Sequence, residues 1–99
     1  MKVIFSERAE LEAEELDTWW RENRPAAPDM FVDELDRLVE LLKVPGVKLG
    51  TKRQTASGRI VYCIVMEKSG HYIYLQRDSE TQVTIVCLWA GRQEHEPEL

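Results

Sequence analysis

Residues 59–92 read RIVYCIVMEKSGHYIYLQRDSETQVTIVCLWAGR, and this stretch decides the fold. Three runs within it are rich in β-branched and aromatic residues: Ile60–Met66, Tyr72–Gln76 and Gln82–Trp89. Two short polar connectors separate the runs, and the first connector contains a glycine. Strand-like runs joined by short turns predict an antiparallel meander of three strands.

The third run has the pattern of an interior strand. The two-residue period of a strand divides it into two faces. One face would carry Val83, Ile85, Cys87 and Trp89, and the other would carry Thr84, Val86 and Leu88. Both faces are largely apolar, which is typical of a strand in the middle of a covered sheet.

The residues before the meander predict a short strand and two helices that cover the sheet. Lys2–Phe5 is a short apolar run, and Ser6 after it suits the N-cap of a first helix. Apolar residues then recur at helical spacing at Ala9, Ala13, Leu16 and Trp20. A second helix from about residue 28 to 42 repeats this spacing at Phe31, Leu35, Leu38 and Leu42, and Pro45-Gly46 ends it. The sequence therefore predicts an α+β fold in one domain over residues 1–99: a short N-terminal strand, a helical hairpin and a three-stranded antiparallel meander.

Composition narrows the class of protein. A chain of 99 residues with 43% hydrophobic and 31% charged residues can build one hydrophobic core. No apolar run approaches the roughly 18 residues that span a membrane, and the N-terminus lacks a signal pattern, so we expect a cytoplasmic protein. Cys63 and Cys87 lie in predicted strands and are interpreted as buried free thiols, with a disulfide or metal role as the alternative. Two cysteines and two scattered histidines do not form a zinc pattern, and we predict no metal and no cofactor.

Charge is distributed unevenly along the chain. The net charge of −5 argues against indiscriminate coating of nucleic acid. Residues 41–66 nevertheless contain no acidic residue and five basic ones: Lys43, Lys48, Lys52, Arg53 and Arg59. Arg77 and Arg92 stand at the ends of later strands. This basic segment is either a localised phosphate site or an exposed loop kept soluble by its charges.

The order and spacing of these elements resemble the RelE/ParE superfamily of bacterial type II toxin–antitoxin toxins, over nearly the whole chain. The matching pieces are Lys2-Val3-Ile4-Phe5-Ser6 with Ala9, Phe31 and Leu35, Leu42-x-x-Pro45-Gly46, Arg59, Ser69-Gly70-His71-Tyr72-Ile73-Tyr74, and Val83-x-Ile85-x-x-Leu88-Trp89-Ala90-Gly91-Arg92. The resemblance implies a growth-inhibiting toxin that is neutralised by a cognate antitoxin in a hetero-oligomer. It also implies an apolar groove beside the helical hairpin for an antitoxin segment, with the basic loop and strand ends as its polar rim.

RelE-like members of the superfamily are metal-independent, ribosome-dependent mRNA interferases (endoribonucleases). Under that resemblance the catalytic residues would be Arg92, Arg59 and His95. Arg92 matches the family's arginine after the last strand, and His95 is a candidate acid or base. The C-terminal tyrosine that such nucleases often use is missing, and the residues around His95 are acidic. The alternatives are a mobile terminal His95 and a surface pair between Arg92 and Glu94 or Glu96.

ParE-like members instead bind DNA gyrase and have no catalytic residue of their own. An acidic chain without a complete acid–base set agrees slightly better with this binding role than with cleavage of mRNA on the ribosome. A third interpretation is an inactive toxin fold that is kept as an antitoxin-binding partner. The residues expected to contact a target or its phosphates are Lys48, Lys52, Arg53, Lys68, Arg77 and Trp89.

Overall fold

The computed structural model describes residues 1–93 and 95–99, and it contains one sheet and two helices. The elements, in chain order, are β1 (Lys2–Phe5), α1 (Glu7–Asn23), α2 (Met30–Lys43), β2 (Thr51–Gln54), β3 (Ile60–Val65), β4 (Tyr72–Arg77) and β5 (Gln82–Trp89). The sheet has the strand order β1-β5-β4-β3-β2. The α+β class and the strand–helix–helix–meander order are therefore confirmed.

The sheet is mixed, because its first strand is parallel to its last. β1 pairs with β5 from Lys2 opposite Gln82 to Phe5 opposite Ile85, and the other neighbouring strands are antiparallel. The meander prediction missed β2, which adds a fifth strand at the far edge. All four residues of β2 are exposed, so its sequence, TKRQ, lacks the apolar alternation that marks a half-buried strand.

The two helices form where their periodicity predicts. The Ser6 hydroxyl accepts a hydrogen bond from the Ala9 backbone N–H at 3.1 Å, which confirms the predicted N-cap of α1. In α2 the buried apolar residues include Phe31, Leu35 and Leu42. In the part of the chain that the structure describes, neither helix is long and apolar enough to cross a membrane.

The main core lies between the helices and one face of the sheet, which we call the helix-covered face. From the sheet it takes Ile64, Ile73, Leu75, Val83, Ile85 and Leu88, and from the helices it takes Ala9, Trp20, Phe31, Leu35 and Leu42. Burial of these side chains supplies the main driving force for folding. The helix-covered face therefore fixes how α1 sits against β5.

The predicted face assignment of β5 is wrong in its second half. Tyr74 pairs with Cys87, but the next residue of β4, Leu75, pairs with Ile85, so Val86 is an extra residue in the strand. A bulge of this kind shifts the alternation by one position. Leu88 consequently joins the helix-covered core, whereas Cys87 and Trp89 belong to the cluster on the opposite side.

The opposite side of the sheet, which we call the outer face, has a smaller apolar cluster. It consists of Val61, Cys63, Tyr74, Val86 and Cys87, with Tyr72, Trp89 and Leu99 packed against it. Both cysteines are free thiols and both are buried, as predicted. Burial raises the pKa of Cys63, and burial near Glu12 raises the pKa of Cys87 to about 12, so neither thiol is an activated nucleophile. The C-terminal segment, residues 95–99, provides Leu99 to this face.

Candidate functional site: the end of the last strand

Arg92 lies just beyond β5, and an aromatic side chain of α1 supports it. Its guanidinium carbon is 3.8 Å from the centroid of the Trp19 ring. Stacking of this kind orients a planar cation and leaves its N–H groups free to meet a ligand. In residues 1–93 and 95–99 no carboxylate forms an ion pair with Arg92. The predicted alternative pair with Glu94 lies outside the described residues.

Steric contact explains why glycine occupies position 91, directly before Arg92. A Cβ on Gly91 would lie 1.7 Å from the carbonyl oxygen of Gly70 in the β3–β4 turn, so no larger residue fits. Gly70 itself has φ of +80°, which favours glycine. Two backbone segments therefore touch beneath Arg92, and this contact sets the path of the chain as it leaves β5.

His71 holds this junction together from beneath. The Trp20 indole N–H donates to Nε2 at 2.9 Å, and the Gly91 backbone N–H points at Nδ1 at 3.1 Å. A neutral imidazole accepts at one nitrogen at a time, and a protonated ring accepts at neither. Two facing N–H donors therefore favour the neutral ring.

The electrostatic surroundings of His71 act in the same direction. Its side chain is 5% exposed. Burial lowers its pKa below the usual value, the nearby Arg92 cation lowers the pKa further, and Glu34 opposes the shift. His71 is consequently a neutral structural anchor and not a charged phosphate ligand at neutral pH.

A cavity of about 310 Å³ opens between α1 and the end of β5. Its lining is amphipathic, with Leu16, Trp19, Leu88, Trp89 and Ala90 beside Glu12, Glu15, His71, Arg92 and Gln93. The prediction was an apolar groove beside the helical hairpin, and the structure has an amphipathic cavity beside α1 alone. The basic loop does not form its rim, because β2 lies at the far edge of the sheet from β5.

Glu12 closes the open edge of β5 where β1 has ended. Its carboxylate accepts the Leu88 backbone N–H at 3.1 Å, a donor that would otherwise face an unpaired strand edge. Arg8, one turn earlier, pairs with the same carboxylate at 3.3 Å. Glu12 therefore fixes the wall of the cavity and protects β5 from further strand pairing.

A second carboxylate fixes the β3–β4 turn that carries Gly70 and His71. Glu34 of α2 accepts the backbone N–H of Lys68 at 2.7 Å and both the N–H and the hydroxyl of Ser69, at 2.9 and 2.7 Å. These three bonds lower the pKa of Glu34 despite the opposing effect of burial. The turn is thus attached to α2 by one buried side chain.

Of the three residues proposed for nuclease chemistry, Arg59 lies apart from Arg92. Arg59 lies before β3, at the opposite end of the sheet from Arg92, and its guanidinium donates to the Gln76 side-chain oxygen at 2.6 and 3.1 Å. β3 has six residues, which at about 3.3 Å each separates the two ends by roughly 20 Å. His95 lies beside Trp89, with ring centroids 5.7 Å apart.

The other predicted contact residues are spread over separate surfaces. Lys48 and Arg77 line one concavity, where the Arg77 guanidinium lies 4.3 Å from the Tyr62 ring centroid and donates to the Leu49 carbonyl. Lys52 and Arg53 are exposed on the edge strand β2. Lys68 lies in the β3–β4 turn, and Trp89 borders the cavity beside Arg92. The structure therefore does not gather the basic residues into one phosphate site.

Sequence reasoning missed three side chains that shape the site: Trp19, His71 and Glu34. Trp19 shares a helical face with Leu16 and Glu12, three and seven residues earlier, and that spacing is its signal in the sequence. His71 and Glu34 give no comparable local signal, because their partners lie 20 to 51 and 34 to 35 residues away. The basic residues between positions 41 and 66, which stand out in the sequence, do not line this cavity.

The fold places the chain among α+β proteins in which a helical hairpin covers a mixed five-stranded sheet. A chain of the chromosomal ParDE toxin–antitoxin (TA) system from P. aeruginosa is similar, with a TM-score of 0.71 at 11% sequence identity. The similarity covers 91% of this chain and 95% of that chain. No protein-family model and no curated protein matches the sequence. The RelE/ParE resemblance is confirmed at the level of the fold.

Proposed function

We propose that this chain is the toxin of a type II toxin–antitoxin module, which inhibits growth by binding an essential cytoplasmic protein and is neutralised by a cognate antitoxin. DNA gyrase is the favoured target. The fold shared with a ParDE chain supports the class of protein. The placement of Arg59 at the opposite end of the sheet from Arg92 supports a binding mode over a catalytic one, and this single observation carries the choice between them.

RNA cleavage of the RelE type requires an acid and a base within hydrogen-bond reach of the reacting oxygens, together with cations for the phosphorane. The length of β3, roughly 20 Å, separates the backbone of Arg59 from the end of the sheet where Arg92 lies. His71, whose ring lines the same cavity as Arg92, is buried and faces the N–H groups of Trp20 and Gly91 with its two nitrogens. The endoribonuclease is therefore the alternative that the experiment below must exclude.

The surface around Arg92 suits protein recognition. An exposed arginine on a tryptophan, beside an amphipathic cavity, combines the two residue types most enriched at binding hot spots. The rigid junction of Gly70, His71 and Gly91 beneath it reduces the ordering cost on binding. We propose that Arg92 and Trp19 contact the target, and that the cavity beside α1 receives an apolar side chain of the antitoxin.

The experiment pairs a gyrase supercoiling assay with a ribosome-programmed mRNA cleavage assay, using wild type, Arg92→Ala and Arg37→Ala. Arg37 is an exposed arginine on α2 and serves as the matched control. Wild type should inhibit supercoiling without cleaving mRNA, and Arg92→Ala should weaken inhibition at least tenfold. The melting temperatures of all three proteins should agree within about 3 °C, because both replaced side chains are exposed.

Three outcomes would contradict the proposal. Ribosome-dependent cleavage that Arg92→Ala abolishes would establish the endoribonuclease. Equal inhibition by Arg92→Ala and wild type would remove Arg92 from the target contact. Harmless expression at high level, with growth unchanged by co-expression of the protein encoded by an adjacent small gene, would favour the inactive fold.

A further inference from the structure

The C-terminal segment, residues 95–99, crosses the outer face of the sheet between β5 and the β2–β3 hairpin. It begins beside Trp89, where the indole N–H donates to the His95 carbonyl at 2.9 Å. It finishes at Ser57 of the hairpin, whose hydroxyl donates to the Leu99 carbonyl at 2.9 Å. Between them, Arg8 of α1 donates to the Glu98 carbonyl at 2.6 Å. Five residues thus span a face that the helices leave uncovered.

These three bonds recognise backbone and not side chains. In each one a side chain of the folded body donates, and a main-chain oxygen of the segment accepts. Any extended polypeptide offers carbonyl groups at similar spacing, so the donors Trp89, Arg8 and Ser57 do not require this particular sequence. The segment is therefore replaceable by another extended chain.

The chemistry of the segment indicates what the face accepts. Leu99 packs on the apolar cluster that contains Val61 and Tyr74. Glu96 and Glu98 line a cavity of about 440 Å³ together with Arg53 of β2. An apolar centre with a cation at its rim therefore holds an acidic segment that carries one large apolar side chain.

The segment also fills the face incompletely. The cavity on the hairpin side has a counterpart of about 560 Å³ on the α1 side, lined by Arg8, Trp89, His95, Glu96 and Glu98. Open space on both sides of a five-residue strap leaves room for a longer chain to bury more surface. The side chains beneath it, including Val61 at 0% and Tyr74 at 8% exposure, would be uncovered by its departure.

We propose that the outer face is a binding surface for an extended, acidic segment of a partner protein, and that residues 95–99 are its intramolecular competitor. The partner presents main-chain oxygens to Trp89, Arg8 and Ser57, a carboxylate to Arg53, and an apolar side chain to the cluster over Val61 and Tyr74. This surface meets the cavity beside Trp19 at Trp89, which lines both, and the inference holds whether or not the chain inhibits growth.

The test measures binding of a fluorescein-labelled peptide, Gly-Gly-His-Glu-Pro-Glu-Leu, to the full chain by fluorescence polarisation. A release variant combines Glu98→Lys with Leu99→Ser, which removes a carboxylate and the apolar anchor of the segment and leaves every donor of the face in place. If the segment covers the face nine-tenths of the time, the release variant binds the peptide about tenfold more tightly than wild type. A peptide with lysine in place of both glutamates should bind at least tenfold more weakly.

Two matched controls assign the effect to this face. Arg53→Glu in the release background should abolish the gain, whereas Arg37→Glu on α2 should preserve it. Leu11→Ser, at a leucine that is 56% exposed on α1, should leave peptide binding at the wild-type level. If the release variant fails to melt cooperatively, Leu99→Ser alone replaces it, and a smaller gain in the same direction is expected.

Equal peptide binding by wild type and the release variant would overturn the proposal, because the segment would then mask nothing. Equal binding of the lysine peptide would also overturn it, because the face would then be merely apolar. Preferential binding of a single-stranded RNA 12-mer by the release variant would show a nucleic-acid surface in place of a protein-binding one. Tight, Arg53-dependent binding of the acidic peptide alone supports the proposal.

Discussion

Glu34 attaches the β3–β4 turn to α2, and its replacement should destabilise the whole fold. It is 6% exposed, and its two oxygens accept two backbone N–H groups and one hydroxyl. Hydrogen bonds to a charged acceptor contribute roughly 1.5–3 kcal/mol each, but water can reach part of a turn once the side chain is gone. We therefore expect Glu34→Ala to lower the free energy of unfolding by about 2–4 kcal/mol.

Glu34→Gln gives a sharper version of the experiment. A glutamine has one acceptor oxygen, so its NH₂ group must face either the Lys68 or the Ser69 backbone N–H. The isosteric change should cost about 1–3 kcal/mol although no atom of the packing is lost. Asp33→Asn is the matched control, since Asp33 is its exposed neighbour in the first turn of α2.

Urea unfolding followed by tryptophan fluorescence measures these differences. In a chain of about 100 residues each kcal/mol corresponds to roughly 4–8 °C in Tm, so Glu34→Ala should lower Tm by at least about 8 °C. Losses within about 0.5 kcal/mol of each other for Glu34→Ala and Asp33→Asn would refute the assigned role of the carboxylate.

Three further predictions concern the sheet and its junction with the helices. Ile85→Ala, at a side chain with 0% exposure, should destabilise by roughly 2–5 kcal/mol and Thr84→Ala by much less in the same urea titration; equal losses would contradict the strand phase. Leu88→Ala should also cost roughly 2–5 kcal/mol, because the bulge puts Leu88 in the core; a loss as small as that of Thr84→Ala would argue against the bulge. The lowered pKa of His71 means that the unfolded chain takes up a proton at higher pH than the folded one, so stability should fall as pH drops below about 6.5. His71→Gln should flatten this slope while His95→Gln, at an exposed ring, should keep it; unfolding titrations between pH 7.5 and 5 that show equal slopes for both variants would exclude His71 as the titrating group.

The elements of the fold were predictable where the signal is local. The runs that became β3, β4 and β5 show in the sequence because β-branched and aromatic residues cluster between turn residues. The cap at Ser6 and the stripe through Phe31 and Leu35 show for the same reason, since each depends on neighbours within a few positions.

The bulge and the edge strand were not predictable in this way. The run Val83–Leu88 carries apolar residues on both sides, so moving the alternation by one residue at Val86 leaves no trace in its pattern. β2 is held by backbone pairing with β3 while all its side chains face water, and a polar, exposed strand looks like a loop in sequence. Both features are set by the partners of a strand and not by the strand itself.

The candidate site likewise has one part that local sequence predicts and another that depends on tertiary contacts. Arg92 was identified from its place after a strand, and that place is local. Its support by Trp19 and its separation from Arg59 are tertiary, because they depend on how α1 and β3 are arranged around β5. A count of basic residues along the chain cannot distinguish one shared site from several surfaces.

The parallel pairing of β1 with β5 also determines when this protein can finish folding. The Ser6 hydroxyl bonds to the Val86 carbonyl across 80 positions of sequence, so the first strand has no partner until the last one has been made. Pairings between such distant residues close late and slowly, since the loop entropy must be lost before the contact forms. During synthesis, α1 and α2 therefore emerge before β5, the strand that completes their core. The apolar faces of both helices stay exposed until β5 has been made. A chain interrupted before Gln82 has both strands β3 and β4 but cannot close the sheet onto β1.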